Sequence, residues 1–241
     1  MKRIQLFTLA LGLAFILSLN PAKAQTADEI LKQYFESTGG LEKWKALRTL
    51  TMNVKFNQQG MEFPMTMYRK YPNKEKVVVE FQGKQFIDAF DGEKGWAVNP
   101  MATGKAEAYT DEQNKEKKEE MFEDELIDYA AKGHKVVLEG KETIEGTECF
   151  KIKLTKKNGE EEWSFFDQDY VLIMQRTTIK TGAAKGQVVE TFLSDYKEAN
   201  GLYFPHSITT KVGGQVAAAL VIEKISTTDA IDDKIFVMPS N

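Results

Sequence analysis

From Leu50 to Ser226 the chain repeats with a period of two. Leu50, Met52, Val54 and Phe56 alternate with polar residues up to the turn-like Asn57-Gln58-Gln59-Gly60. Phe63, Met65 and Met67 alternate next, and Tyr71-Pro72-Asn73-Lys74 breaks the run. Val77, Val79 and Phe81 follow, Phe86 to Phe90 leads into Asp91-Gly92, and Trp96 and Val98 precede Asn99-Pro100. The pattern resumes in Lys135 to Glu139, Cys149 to Thr155, Glu161 to Phe166, Tyr170 to Thr178, Val188 to Tyr196, Leu202 to Thr210 and Gln215 to Ser226. Alternation of this kind belongs to half-buried strands, whose side chains point to opposite faces in turn. Asn158-Gly159, Asn200-Gly201 and Gly213-Gly214 read as hairpin turns, because such residues take φ > 0 at low cost. The signals predict about eleven strands. Helical segments do not alternate with them, which excludes a doubly wound βαβ fold. The expected class is mainly β (α+β). It is a highly curved antiparallel sheet, closed or nearly closed so that its edges are managed, with helices grouped on one side.

Two helices precede the strands. Thr26-Ala27-Asp28-Glu29 has the form of a capping box, Ile30, Leu31, Tyr34 and Phe35 share one helical face, and Gly39-Gly40 supply a stop. A shorter piece places Leu41, Trp44 and Leu47 at spacing three. The segment Asp111 to Lys132 interrupts the strands. Its charged first half, Asp111 to Glu120, reads as a solvated helix or a loop. Its second half, with Met121, Phe122, Leu126, Tyr129 and Ala130 before Gly133, predicts an amphipathic helix packed over the sheet or its opening.

The first 24 residues read as a secretory signal. Lys2-Arg3 open it, Ile4 to Leu19 are almost wholly apolar, and Ala22-Lys23-Ala24 predicts cleavage between Ala24 and Gln25. The apolar region is short for a span of ~20 residues. The residue after the cut is Gln25 and not a cysteine to be lipidated, so a soluble periplasmic product is expected, with 25–241 as a single domain. Removing the three basic residues of 1–24 leaves 29 Lys and Arg against 36 Asp and Glu, a net charge of −7. An acidic chain of this kind is a poor match for nucleic acid. Cys149 is the only cysteine, which excludes an intramolecular disulfide and cysteine-based metal clusters. It reads as a buried, inert thiol.

The catalytic inventory is thin. His134 and His206 are the only histidines and read as surface or turn residues, without H-E-x-x-H or H-x-H spacing. No G-x-S-x-G elbow, P-loop or G-x-G-x-x-G fingerprint is present. Glu160-Glu161-Glu162 and Asp232-Asp233 read as solvated turns. A dispersed carboxylate pair needs no fixed spacing and leaves a hydrolase as an outside alternative. The expectation is a non-enzymatic protein without metal or cofactor. Met61, Met65, Met67, Tyr68, Tyr71, Met121, Phe122 and Leu126 are apolar or aromatic material that suits either a cavity lining or a core. Periodicity alone favours the core.

Tyr68-Arg69-Lys70-Tyr71-Pro72-Asn73-Lys74 and Phe90-Asp91-Gly92-Glu93-Lys94-Gly95-Trp96, running on to Asn99-Pro100, resemble the periplasmic outer-membrane lipoprotein carrier family (LolA-like). That family shows a hydrophobic-Lys-Arg-Pro-Asn turn and a D-G-x-x-x-W-x-x-N-P motif in this order. Phe166-Asp167, Ser194-Asp195-Tyr196, Gly201-Leu202-Tyr203-Phe204-Pro205 and Ile235-Phe236-Val237-Met238-Pro239 resemble the wider lipoprotein-sorting superfamily. The resemblance implies an unclosed β-barrel with a helical lid over an apolar cavity for lipoprotein acyl chains. On that reading Tyr68, Tyr71, Val77, Val79, Phe122 and Leu126 line the cavity. The partner is a lipoprotein acyl chain or another apolar ligand, or, in the alternative, an envelope protein docked on the same fold. The family places an arginine immediately before the turn proline, where it helps to hold the lid closed. Here Tyr71 stands in that position, with Arg69 and Lys70 just upstream.

Overall fold

The computed structural model describes residues 25–58, 60–180 and 182–240. The expected signal segment 1–24 and its cleavage site at Ala24 lie outside the described residues. Helix α1 (Ala27–Ser37) starts with the expected capping box: Thr26 Oγ1 accepts from Glu29 N at 3.2 Å, and Glu29 Oε2 accepts from Thr26 N at 2.9 Å. Helix α2 (Leu41–Ala46) follows Gly40, and α3 (Asp111–Glu119) is capped in the same reciprocal way by Thr110 and Gln113. The strands are β1 (Thr49–Gln58), β2 (Met61–Lys70), β3 (Lys74–Phe81), β4 (Lys84–Phe90), β5 (Gly95–Val98) and β6 (Ala106–Ala108) before or beside α3. After it come β7 (Lys135–Ile144), β8 (Thr147–Thr155), β9 (Glu161–Phe166), β10 (Leu172–Thr178), β11 (Val188–Ala199), β12 (Leu202–Val212) and β13 (Gln215–Ser226).

All thirteen strands form one curved antiparallel sheet in the order β6-β5-β4-β3-β2-β1-β13-β12-β11-β10-β9-β8-β7. Each half is a meander, and the two meet where β1 pairs with β13. The outermost strands β6 and β7 do not pair with each other, so the barrel stays open. The strand count exceeds the expected figure because short pieces such as β6, three residues long, carry too little alternation to register. Asn200-Gly201 and Gly213-Gly214 make their hairpins with φ of 55° and 77° and of 58° and 81°. Two consecutive positive φ values match the twist of the flanking strands.

The pairs Leu193↔Ile208, Ile208↔Leu220, Leu220↔Phe56 and Phe56↔Phe63 trace one face of the sheet across the junction. On the β8–β10 side this face carries α1. Ile30, Leu31, Tyr34 and Phe35 pack on Phe150, Ile152, Leu154, Phe166 and Leu172. Burying each of the larger of these side chains contributes ~1.5–3 kcal/mol. On the β1–β3 side the same face carries Val54, Met65 and Ile222 with Met52, Met67, Val77 and Val79. Every member of that second cluster lies on a strand.

The segment 121–133 does not form the expected amphipathic helix. It is a chain of turns, and the helix of this region is the charged α3 that precedes it. Tertiary and side-chain bonds displace the helical ladder. Phe122 N donates to Pro72 O at 2.8 Å, Asp124 Oδ1 accepts from Leu126 N at 2.8 Å, and Asp128 takes φ 47°. The segment still buries Phe122, Leu126 and Ile127. His206, expected at a turn or surface, lies buried in β12.

Beyond β13, residues 227–240 cross the outer face of β2 to β5 as a strap. Lys70 Nζ donates to Ile231 O at 2.9 Å, and Lys70 and Lys74 reach Asp233 at 2.7 and 2.8 Å. Trp96 Nε1 donates to Phe236 O at 2.8 Å, and Phe236 is wholly buried. The strap closes the apolar end of that face, where Met238 packs on Ala89, Trp96 and Ala106.

Candidate functional site

Helix α1 presents one side to the sheet and another to a groove. Asp28, Leu31, Lys32, Phe35 and Glu36 recur at helical spacing and form one wall. The stretch Gly39 to Lys43 leading into α2 forms the floor, and Leu126 with Asp128 to Ala131 forms the opposite wall. The groove encloses about 960 Å³, the size of a small-molecule site. Leu31, Phe35, Leu41, Leu126, Tyr129, Ala130 and Ala131 make its interior apolar, and the charged residues stand at its rim. Two bonds clip the far wall to the helices: Tyr129 Oη donates to Asp28 Oδ1 at 2.6 Å, and Lys45 Nζ meets Asp128 at 2.8 Å.

The other side of the same turn segment bounds an inner cavity of about 340 Å³. Trp44, Leu47, Leu50, Met121, Phe122, Ile127 and Phe204 supply its apolar lining, and Arg69, Glu123, Asp124, Glu125, Glu162 and Gln175 its polar lining. Thus α2 and residues 121–131 together partition an apolar outer groove from a mixed inner cavity. Burial pushes the Asp124 carboxyl above its ordinary value, opposed by the Leu126 N–H and the Lys132 charge. Tyr34 is raised by its own burial and by the charge of Asp124, and Tyr196 by burial and then by Asp124.

Arg69 ties this segment to the sheet. Its Nη2 donates to Met121 O at 2.8 Å, its Nε lies 3.3 Å from Glu75, and its guanidinium stacks 5.5 Å from the Phe122 ring centre. Sequence reasoning noted Arg69 only as a neighbour of the family's arginine position. The fold brings it to the lid from two residues earlier on β2.

The six residues expected to line a cavity fall in different places. Val77 and Val79 pair with Met67 and Met65 on the face that carries α1. Phe122 packs with Leu50, Leu202 and Phe204 at the inner cavity, and Leu126 joins the α1 cluster and the outer groove. Tyr68 pairs with Lys76 and faces the other side of the sheet, in a groove of about 660 Å³ beneath the strap. Tyr71 is 44 % exposed and lies under the Arg48 guanidinium, 4.6 Å from its ring centre. The groove residues Leu31, Phe35, Leu41 and Ala130 were not anticipated as a site. Their signal was the second apolar edge of α1, which the Ile30-Leu31 and Tyr34-Phe35 pairs widen beyond a single stripe.

His134 is held structurally. Its Nδ1 accepts from Lys157 N at 3.0 Å, which leaves Nε2 to donate to Glu125 at 2.9 Å. Cys149 is fully buried, and burial raises its thiol above the ordinary value, as befits an inert packing residue.

No known family profile and no curated protein matches the sequence. Solved structures do match the fold. A DUF1329 family protein from Desulfovibrio piger aligns over 89 % of this chain and 98 % of its own, at 12 % identity and a TM-score of 0.58. A LolA superfamily protein from Nitrosomonas europaea aligns over 89 % and 98 %, at 13 % identity and a TM-score of 0.55. A domain described as an outer membrane lipoprotein-sorting protein, from Vibrio parahaemolyticus, aligns over 86 % and 94 %, at 12 % identity and 0.54. The open, helix-filled barrel of this chain is therefore a fold shared with the LolA superfamily.

Proposed function

We propose that this protein is a periplasmic binding protein of carrier type that holds an acyl chain or a similar apolar ligand without chemical turnover. The observation that carries the reading is the apolar groove of about 960 Å³ between α1, α2 and Leu126 to Ala131. Each CH₂ group moved from water into such a site contributes ~0.8 kcal/mol. A chain of a dozen carbons thus gains enough to offset the cost of its own ordering.

The α1-bearing face of the sheet extends the reading. Met52, Met65, Met67, Val77 and Val79 form an adaptable apolar surface behind the turn segment, because unbranched thioether side chains conform to varied shapes. Arg69 acts as the catch that keeps residues 121–122 on the sheet, the part that the family resemblance gives to an arginine. Leu126 contacts cargo from the groove wall, whereas Phe122 at the inner cavity and Val77 and Val79 on the sheet face do not line the groove. Tyr68 and Tyr71 stand outside this volume. The signal-like start directs the chain to the compartment where a lipid-bearing partner needs shielding from water.

The test fills the groove without touching the core. Ala130 is exposed on its wall, so Ala130→Trp should leave the melting temperature unchanged and weaken uptake of a fluorescent fatty acid at least about tenfold. Native mass spectrometry of wild-type protein from its source periplasm should show bound lipid. Absence of both lipid and probe uptake in the wild type, or equal uptake by Ala130→Trp, rejects the reading.

A further inference from the structure

We propose that the groove beneath the strap binds a small aliphatic monocarboxylate, on the other face of the sheet from the apolar groove and independently of what that groove holds.

The first observation is a lysine without a counter-ion. Lys76 stands half-buried on the groove floor, and among the described residues no carboxylate lies within ion-pair distance of its ammonium. Every other half-buried lysine among the described residues has such a partner, as Lys74 has Asp233 and Lys117 has Glu75. The Lys76 ammonium lies 5.6 Å over the Trp96 ring, which steadies the charge but offers no oxygen to its N–H groups. Burial lowers the pKa of this ammonium, and no neighbouring carboxylate offsets the effect.

The second observation is the pattern of the floor. Strand pairing sets Thr51, Tyr68 and Lys76 in one row and Thr66, Val78 and Ile87 in the next. The rows are about 7 Å apart along the strands. The hydroxyls of Thr51, Thr66 and Tyr68 have no hydrogen-bond partner among the described residues. The first row therefore presents an ammonium beside two free hydroxyls, and the second is mainly aliphatic. The strap adds Ile231 and Ile235 as an apolar wall, fixed by the bond from Lys70 Nζ to Ile231 O at 2.9 Å.

The third observation is where the acids stand. Glu80, Asp229 and Asp232 are exposed at the rim, and each already accepts a bond within the protein. The donors are Gln85 Nε2 at 3.4 Å, the Ser226 hydroxyl at 2.6 Å and Lys234 N at 3.0 Å. A cationic ligand would meet Lys76 on the floor, and a dianion would meet three carboxylates as it entered. A wholly apolar ligand would strip water from Lys76 without replacing it. A single carboxylate on a short aliphatic body satisfies both rows. Lys76 and the Tyr68 hydroxyl hold its oxygens through charge-assisted bonds, and Val78 and Ile87 receive its alkyl group. The groove of about 660 Å³ is large enough for such a molecule.

N-acetyl-leucine and its uncharged isostere N-acetyl-leucinamide separate charge from shape, and acetate separates charge from the alkyl body. Titration of the protein can be followed by the Trp96 indole N–H and the Lys76 Nζ resonances. N-acetyl-leucine should saturate at millimolar concentration and bind at least about tenfold tighter than either the amide or acetate. The Lys76 ammonium should titrate at higher pH once the acid is bound. Lys76→Met keeps the stem and should lose the preference for acid over amide while remaining folded, as checked by thermal melting. Lys135→Met, on β7 at the far edge of the sheet, should keep that preference. The Lys76 titration reads the wild type, so it decides even where the variant does not fold. No saturable binding, equal binding of acid and amide or of acid and acetate, an unmoved Lys76 titration, or an undiminished preference in folded Lys76→Met overturns the proposal.

Discussion

The guanidinium of Arg69 and the carbonyl oxygen of Met121 meet at 2.8 Å, joining the end of strand β2 to a segment that begins 52 residues later. This bond and the Phe122 N–H to Pro72 O bond hold both ends of one short stretch, so that Phe122 enters the core between Leu50 and Phe204. Arg69 is the side-chain half of that attachment.

Replacing Arg69 by Gln should therefore loosen the lid more than the barrel. A hydrogen bond to a charged group contributes about 1.5–3 kcal/mol, and loss of the Glu75 contact adds little at a partly exposed site. The unfolding free energy should fall by an amount in the lower part of that range. Amide exchange at residues 122–127 should accelerate well beyond that of β8 to β10. Arg69→Lys should recover only part, because an ammonium lacks the fork that reaches Met121 and Glu75 together. Uniform acceleration across the whole sheet would contradict the assignment.

The strap carries its own titration. Lys70 and Lys74 hold the Asp233 carboxyl down to about 2. A carboxyl depressed in the folded state adds stability above its ordinary value near 3.8, and that share disappears as pH falls toward 2. NMR titration of the Asp233 side chain should show the low midpoint, and Lys70→Ala or Lys74→Ala should raise it. Molar salt should raise it as well, because the group is exposed. Asp233→Asn should remove this part of the acid sensitivity. A midpoint at the ordinary value in the wild type would show that the two lysines do not act on Asp233.

Gly39 offers a test of the helix-to-sheet approach. It sits at φ 114°, and a Cβ there would collide with the backbone oxygen of Gly201 at the β11–β12 hairpin. Backbone cannot swing aside as a side chain does, so Gly39→Ala should cost about 2–4 kcal/mol from conformation and collision together. Gly40→Ala shares the positive φ at 101° but meets nothing within 4 Å. It should cost less, and the difference between the two melting temperatures reads the collision alone.

What the sequence disclosed follows the range of the interactions involved. The capping box of Thr26 and Glu29 and the turns at Asn200-Gly201 and Gly213-Gly214 are settled within four residues, and they appear where the residues placed them. The alternation from Leu50 onward likewise reports a purely local geometry. The lid misled because Phe122 gives its N–H to Pro72, fifty residues back, instead of to its own helix. The separation of Tyr68 from Val77 turned on register: the β2–β3 turn pairs residue 68 with 76, and a shift by one would have exchanged their faces. The outer groove drew on α1, α2 and the lid at once, and no single stretch of sequence contains it.

The junction of the two meanders sets the order in which the chain can be completed. Within each half, neighbouring strands are neighbours in sequence, but β1 pairs with β13 across about 170 residues, as Thr51 does with Ser226. Loop closure over that distance has to be met before the pairing returns anything. Residues 215–226 leave the ribosome long after β1, so the first meander waits with one flank of β1 unpaired until β13 has been made. Until then the first meander carries an open strand edge, and the two halves become one sheet only in the step that joins β1 to β13.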